Sequence, residues 1–164
     1  MRKIIIGVIA IAAILGALVI GGGLILVSSG PDTYIYAGGQ TPARFVKTVR
    51  SLGLLSEGES IRYFYSDALF DIKDGFYLVT DRHLILYSDT WAEPETVIPF
   101  DTIESVDVVY NESFFVDTWV QVLTEDGLDV SFPLSSERGL DKRFVALLEA
   151  GLEDPDAERL EAVD

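Results

Sequence analysis

The sequence predicts a single-pass membrane chain whose one domain is mainly β and ends in an α-helix. Three observations lead to this fold class. An uninterrupted apolar stretch occupies residues 4–27, short apolar runs bounded by turns follow from residue 60 to residue 132, and apolar side chains then recur at helical spacing up to residue 152. This order is typical of a β-sandwich or open barrel of about seven strands that one helix caps.

The first apolar stretch is long enough to cross a membrane as a helix. Residues 4–27 hold no charged residue and no proline, and at ~1.5 Å per residue they give roughly 36 Å of helix, against a hydrocarbon core of ~30 Å. The alternative is a cleaved secretory signal, since Arg2 and Lys3 form a basic start and Val27 and Ser29 suit a cleavage site. The apolar part of such a signal runs to only about 7–15 residues. We therefore predict an uncleaved anchor.

Basic residues on the two sides of this segment predict its orientation. Arg2 and Lys3 precede it, and Arg44 is the first basic residue after it. The positive-inside rule then favours a cell-membrane protein with an extracytoplasmic C-terminal domain, while a cytoplasmic location stays open. The predicted organisation is a basic start (1–3), the transmembrane helix (4–27), a linker (28–41), the domain with a short leading helix (42–152) and an acidic tail (153–164).

The charge of the chain excludes several classes of partner. The sequence has 27 Asp and Glu against 12 Lys and Arg, a formal net charge of −15. A surface of this sign repels phosphates, which disfavours nucleic acid and anionic lipid head groups. The absence of cysteine excludes disulfides, thiolate metal sites and thiol catalysis. We expect no cofactor.

Turn residues divide the β region into its strands. Lys73-Asp74-Gly75, Asp81-Arg82 and Glu125-Asp126-Gly127 are the turn signals. The predicted strands are residues 61–65, 68–72, 76–80, 83–87, 96–100, 103–110, 114–124 and 128–132.

Two helices flank the strands. Phe45, Val49 and Leu52 recur at helical spacing after Pro42, which suits the first turn of a helix. The C-terminal helix is predicted from Leu140, Phe144, Leu147, Leu148 and Leu152.

Several segments combine turn residues with core positions. They are Gly58-Glu59 opening a strand, Leu78-Val79-Thr80-Asp81-Arg82 continuing to Tyr87, Ile98-Pro99 before Ile103, and the closing Phe144-Val145. These segments resemble the structural motifs of the bacterial pleckstrin-homology-like (PH-like) domains. The resemblance covers roughly residues 54–152 and implies a PH-like fold beside a transmembrane helix, used as a protein-interaction or assembly module without catalytic residues. In place of the Lys and Arg cluster of phosphoinositide-binding relatives, Ser66-Asp67-Ala68 offers an acid.

Sites for chemistry are few in the sequence. His83 is the single histidine, which excludes a multi-histidine metal site and a Ser-His-Asp triad with a spare base. Asp71-Ile72-Lys73-Asp74-Gly75 is similar to a calcium loop but carries lysine at a ligand position, so we interpret it as a hairpin turn. We predict no catalytic and no metal-binding residue, and no ligand-binding residue can be named.

Surplus aromatic and small residues indicate where partners would bind. Alternation cannot bury every ring in and beside the strands, so Trp91, Phe115 and Trp119 are candidates for a protein interface. Within the predicted membrane helix, small side chains four residues apart favour weak self-association. They are Ala13, Ala17 and Gly21.

These observations together predict a membrane-anchored, PH-like interaction or assembly module that binds a protein partner and is not an enzyme. Two alternatives stay open. One is a hydrolase or transferase that uses paired carboxylates, which requires two acids facing one pocket. The other is a domain that binds lipid head groups.

Overall fold

The computed structural model describes residues 30–111 and 117–153. Its strands form two antiparallel sheets. The five-stranded sheet A contains β1 (Tyr36–Ala37), β2 (Ile61–Tyr65), β3 (Phe76–Thr80), β4 (His83–Tyr87) and β5 (Glu95–Pro99), and the three-stranded sheet B contains β6 (Ile103–Val109), β7 (Thr118–Thr124) and β8 (Asp129–Leu134). The helices are α1 (Ala43–Ser51) and α2 (Leu140–Glu153). The predicted mainly β fold with a short leading helix and a C-terminal helix is confirmed.

The main core lies between the two sheets, and α2 closes it. Alternation along β7 turns Val120 and Val122 inward, where they meet Phe132 of β8 and the sheet A residues Leu84 and Leu86. Three side chains of α2 at helical spacing are fully buried in the same cluster. These are Phe144, Val145 and Leu148.

A second core covers the outer face of sheet A. Phe64, Phe76 and Ile85 point away from sheet B and pack under Phe45 and Val49 of α1. The central strands β3 and β4 of sheet A are therefore buried on both sides, which is why they carry large apolar side chains on both faces. The second core is thus where Phe64 and Phe76 are buried, on the face of their strands opposite the main core.

Two sequence predictions were wrong in detail. Residues 68–72, predicted as a strand, form an irregular loop and the start of a 3₁₀ turn, because β2 and β3 already pair with each other and leave this segment no strand partner. Part of the predicted linker, residues 28–41, belongs to the domain. Ile35 and Tyr36 are buried, and β1 extends sheet A along β2.

None of the helices among the described residues is long and apolar enough to cross a membrane. The predicted transmembrane helix (4–27), with Ala13, Ala17 and Gly21, lies outside the described residues. The same holds for the acidic tail beyond Glu153 and for residues 112–116, where the predicted strand 114–124 was to begin. Its described part forms β7.

The contact of β1 with β2 depends on one glycine. A Cβ at Gly38 would overlap the backbone carbonyl oxygen of Ile61, whereas a Cβ at Gly39 would meet nothing within 4 Å. We expect Gly38→Ala to lower the free energy of unfolding by about 1–3 kcal/mol, because backbone must move to make room. Gly39→Ala is the matched control and should stay within about 0.5 kcal/mol of the wild type in a urea titration. Equal stabilities of the two variants would contradict the described packing of β1.

Candidate functional site

An acidic cleft opens where several segments that are distant in sequence meet at one end of the domain. It encloses about 400 Å³ and is lined by residues 31–33, 65–69, 117, 135 and 137. Among the residues that the structure describes, the lining includes four carboxylates and no lysine or arginine. We call this cleft, with all of its lining residues, the acidic cleft. The four carboxylates are Asp32, Asp67, Asp117 and Glu137.

Asp67 is held in the cleft by its contacts with β3 and the turn before it. Its Oδ2 accepts a hydrogen bond from the Tyr77 hydroxyl at 3.1 Å. A Cβ on Gly75 would lie 2.5 Å from Asp67 Oδ1, so glycine leaves the space that the carboxylate occupies. Ser66, next to it, donates to the carbonyl oxygen of Gly75 at 2.5 Å. The loop after β2 thus presents its acid in a fixed position.

Asp117 faces the same cleft from the start of β7. Burial, followed by the negative charge of Asp67, raises the pKa of the Asp117 carboxyl. Burial also raises the pKa of the Tyr65 and Tyr77 hydroxyls. The charges of Asp117 and Asp67 add to the shift of Tyr65, and the charge of Asp67 adds to the shift of Tyr77. A raised pKa of an acid means that its surroundings disfavour the negatively charged form, so the site disfavours additional negative charge. A cation entering the cleft would relieve this repulsion.

The segment after the predicted anchor forms another wall of the cleft. Asp32 Oδ2 accepts a hydrogen bond from the Tyr36 hydroxyl at 2.8 Å, and hydrogen bonds from Tyr34 and Tyr36 lower the pKa of Asp32. Thr33 donates to Glu137 at 2.8 Å and so ties this wall to the segment after β8. The nearby guanidinium of Arg138 lies over the Tyr34 ring, 3.4 Å from its centroid.

The cleft suits an organic cation better than a metal ion. Among the described residues no three His, Asp or Glu side chains are placed to hold a metal together. Carboxylates and tyrosine hydroxyls spread around a cleft of this size are suited to accept several N–H bonds from an ammonium or guanidinium group. The exposed side chain of Leu69 adds an apolar rim.

A second polar cluster joins the two turn motifs on which the PH-like resemblance depends. Buried Glu59 accepts a hydrogen bond from the Thr80 hydroxyl at 2.6 Å, and its Oε1 lies 2.7 Å from His83 Nδ1. Its Oε2 accepts from the Ser56 N–H at 2.8 Å. The Thr80 hydroxyl in turn accepts from the backbone N–H groups of Arg82 and His83. His83 therefore belongs to a structural network of the β3–β4 turn.

Two of the predicted interface residues, Trp91 and Trp119, do not line the cleft. Trp91 is 39% exposed on the loop after β4, and Trp119 is 51% exposed on the outer face of β7. Trp119 pairs in register with Val109 of β6 and Pro133 of β8, which makes a small apolar row across sheet B. Trp91 follows a strand of sheet A, Trp119 lies on a strand of sheet B, and Phe115 lies outside the described residues. An interface at these positions stays a prediction.

The chain is similar to several solved structures at low sequence identity. The chain is 11% identical to a DUF1696 family protein with a pleckstrin-homology domain from Shewanella loihica PV-4, over 74% of this chain and 99% of that one, with a TM-score of 0.49. It is 15% identical to a pleckstrin homology domain from Shewanella amazonensis SB2B, over 67% and 90%, with a TM-score of 0.47. The C-terminal domain of an unknown protein from Leishmania infantum is 21% identical over 66% and 95%, with a TM-score of 0.44. No protein-family model and no curated protein matches the sequence.

Proposed function

We propose that the chain is a membrane-anchored, PH-like interaction module that receives a basic segment of a protein partner in the acidic cleft. The observation that carries this proposal is the convergence of Asp32, Asp67, Asp117 and Glu137 around one cleft whose described lining holds no lysine or arginine. The raised pKa of Asp117 reports the unfavourable charge that a bound cation would offset. The module would assemble or position a complex at the membrane and catalyse no reaction.

The chemistry of the cleft defines the partner. Tyrosine hydroxyls and carboxylates favour a lysine or arginine side chain, and Leu69 makes one rim of the cleft apolar. Because the wall formed by residues 31–33 begins only four residues after the predicted anchor, a membrane protein with a basic segment next to its own membrane helix fits best.

Neutralising the cleft should weaken binding of basic peptides. We expect Asp67→Asn combined with Asp117→Asn to reduce affinity about tenfold to a hundredfold, since a hydrogen bond to a charged group contributes about 1.5–3 kcal/mol. Fluorescence anisotropy of lysine-containing peptides on the full chain in nanodiscs would measure it, with the same peptides acetylated at lysine as the ligand control.

A variant that removes a negative charge outside the cleft makes this measurement specific. Glu104 is an exposed acid on β6, and Glu104→Gln should leave the affinity within about twofold of wild type, because exposed charges beyond the Debye length are largely screened. If the cleft and Glu104 variants bind equally well, or acetylated peptides bind as well as basic ones, the proposal fails. Crosslinking in native membranes should also recover a reproducible protein partner through the cleft.

The same pair of acids supports a second candidate function. A carboxyl of raised pKa beside a negatively charged carboxylate is the arrangement from which hydrolases take a general acid and a base, and Asp117 with Asp67 meets this condition. A carboxylate-dependent hydrolase would turn over a substrate and lose kcat in Asp117→Asn. Peptide binding without turnover, weakened in the same variant, would favour the interaction module.

A further inference from the structure

Two of the most exposed large apolar side chains of the described chain are neighbours on the loop between β2 and β3. Leu69 is 78% exposed and Phe70 is 57% exposed. The loop itself is not loose. The Ser66 hydroxyl accepts from the Ala68 N–H and donates to the Gly75 carbonyl oxygen, and Ile72 is buried in the second core. The fold therefore holds two apolar side chains in solvent on a well-anchored loop, which marks a contact surface.

This loop lies beside the point where the described chain begins. Gly30 packs so closely on the backbone of Leu69 and Phe70 that a Cβ there would overlap the Leu69 carbonyl oxygen. Arg44 of α1 donates to the Gly30 carbonyl oxygen at 3.2 Å and helps to hold it. The predicted membrane segment ends at Val27, three residues before Gly30, and three residues of chain reach at most ~10 Å. An anchored chain therefore keeps Leu69 and Phe70 close to the bilayer surface.

We propose that Leu69 and Phe70 enter the interfacial region of the bilayer in which the chain is anchored, and so fix the orientation of the domain on the membrane. The proposal rests on the membrane anchor of the proposed function. Side chains of this kind bury at the boundary between head groups and acyl chains. The nearest charges on the loop, Asp67 and Asp71, are acidic, so the contact is with the apolar boundary and not with lipid phosphates.

The orientation has a consequence for the acidic cleft. Leu69 lines the cleft. If Leu69 is buried in the bilayer, the opening of the cleft lies next to the membrane surface. Leu128, at the turn between β7 and β8, lies at the opposite end of sheet B from Asp117 and Ser135. Seven residues of β7 separate the two ends by about 23 Å. Leu128 is 41% exposed and serves as a control far from the proposed contact.

Depth measurement on the full chain tests the proposal. The chain has no cysteine, so Leu69→Cys, Phe70→Cys and Leu128→Cys each give a single site for an environment-sensitive label. The labelled chains are reconstituted in phosphatidylcholine vesicles at low protein-to-lipid ratio, and quenching by doxyl-labelled phosphatidylcholine is recorded. We expect labels at 69 and 70 to shift to the blue and to be quenched several-fold more strongly than the label at 128.

Each other outcome overturns the proposal in a distinguishable way. If alkaline carbonate releases the chain from the vesicles, the anchor fails and the contact fails with it. If the chain resists extraction but the label at 69 behaves like the label at 128, only the bilayer contact fails. A blue shift at 69 without quenching by doxyl lipid would show that a second copy of the chain covers the loop, and it would likewise overturn the bilayer contact.

Discussion

Phe64→Ala is expected to lower the free energy of unfolding by about 3–5 kcal/mol, the range typical of a buried phenylalanine truncated to alanine. Phe64 is fully buried at the centre of the second core. Its ring stacks between Phe45 of α1 and Phe76 of β3, with both centroid distances at 5.6 Å. Alanine would leave a cavity that α1 and the sheet cannot both move to fill, because their other side chains are already packed.

The measurement is urea unfolding of the full chain in detergent, followed by circular dichroism. Phe70→Ala is the matched control, since it removes the same side chain from an exposed position, and it should cost less than about 1 kcal/mol. Phe132→Ala, in the main core, should cost about as much as Phe64→Ala. A loss below about 1 kcal/mol for Phe64→Ala would mean that α1 and the outer face of sheet A do not fold cooperatively with the rest.

The second core shows where local sequence patterns are sufficient and where they are not. The spacing of Phe45 and Val49 predicts α1 and its buried face, because helical periodicity is a local property. The same spacing does not say which surface α1 covers. Phe64 and Phe76 alternate with buried residues on the other face of their strands, so the pattern shows two apolar faces without saying what buries the second. That information lies in pairings between distant residues.

The acidic cleft illustrates the same limit more strongly. Asp67 could be recognised from the sequence, because it lies in the loop where phosphoinositide-binding relatives carry Lys and Arg. Asp117 and Glu137 carry no local signal. They reach Asp67 only because β7 starts and β8 ends at the same end of sheet B, beside the loop after β2. A chain with 27 acids offers many such pairs by composition alone, so only the fold identifies this one.

Glu59→Ala should have the second large effect and lower the free energy of unfolding by about 2–4 kcal/mol at neutral pH. The change removes the acceptor shared by the Thr80 hydroxyl, His83 Nδ1 and the Ser56 N–H. Leaving buried donors without a partner costs about 1–3 kcal/mol for each group, and partial exposure of His83 moderates the total because water can reach that ring. Glu57→Ala is the matched control, an exposed glutamate two residues earlier, and should stay within about 0.5 kcal/mol.

The contribution of Glu59 should also depend on pH in a defined direction. Burial acts to raise the pKa of Glu59, but the hydrogen bonds from Thr80, His83 and Ser56 outweigh it and place the pKa below 4.5, the ordinary value. A carboxyl whose pKa is lowered by folding stabilises the folded state above its unfolded pKa, and this stabilisation is lost as the pH falls through the folded value. The difference in unfolding free energy between wild type and Glu59→Gln should therefore shrink as the pH falls below about 4.5.

Urea titrations of the two proteins from pH 7 down to pH 3 would measure this difference. If this difference increases as the pH falls, the effect of burial dominates, and the fold favours the protonated form of Glu59. A gap that is absent at every pH would mean that Glu59 does not connect the loop before β2 to the β3–β4 turn. Because Thr80 and His83 both belong to the turn motif, Thr80→Val should be less than additive with Glu59→Ala, by about 0.5–3 kcal/mol in a double-mutant cycle. Such coupling would identify the motif as a structural connection between β2 and the β3–β4 hairpin.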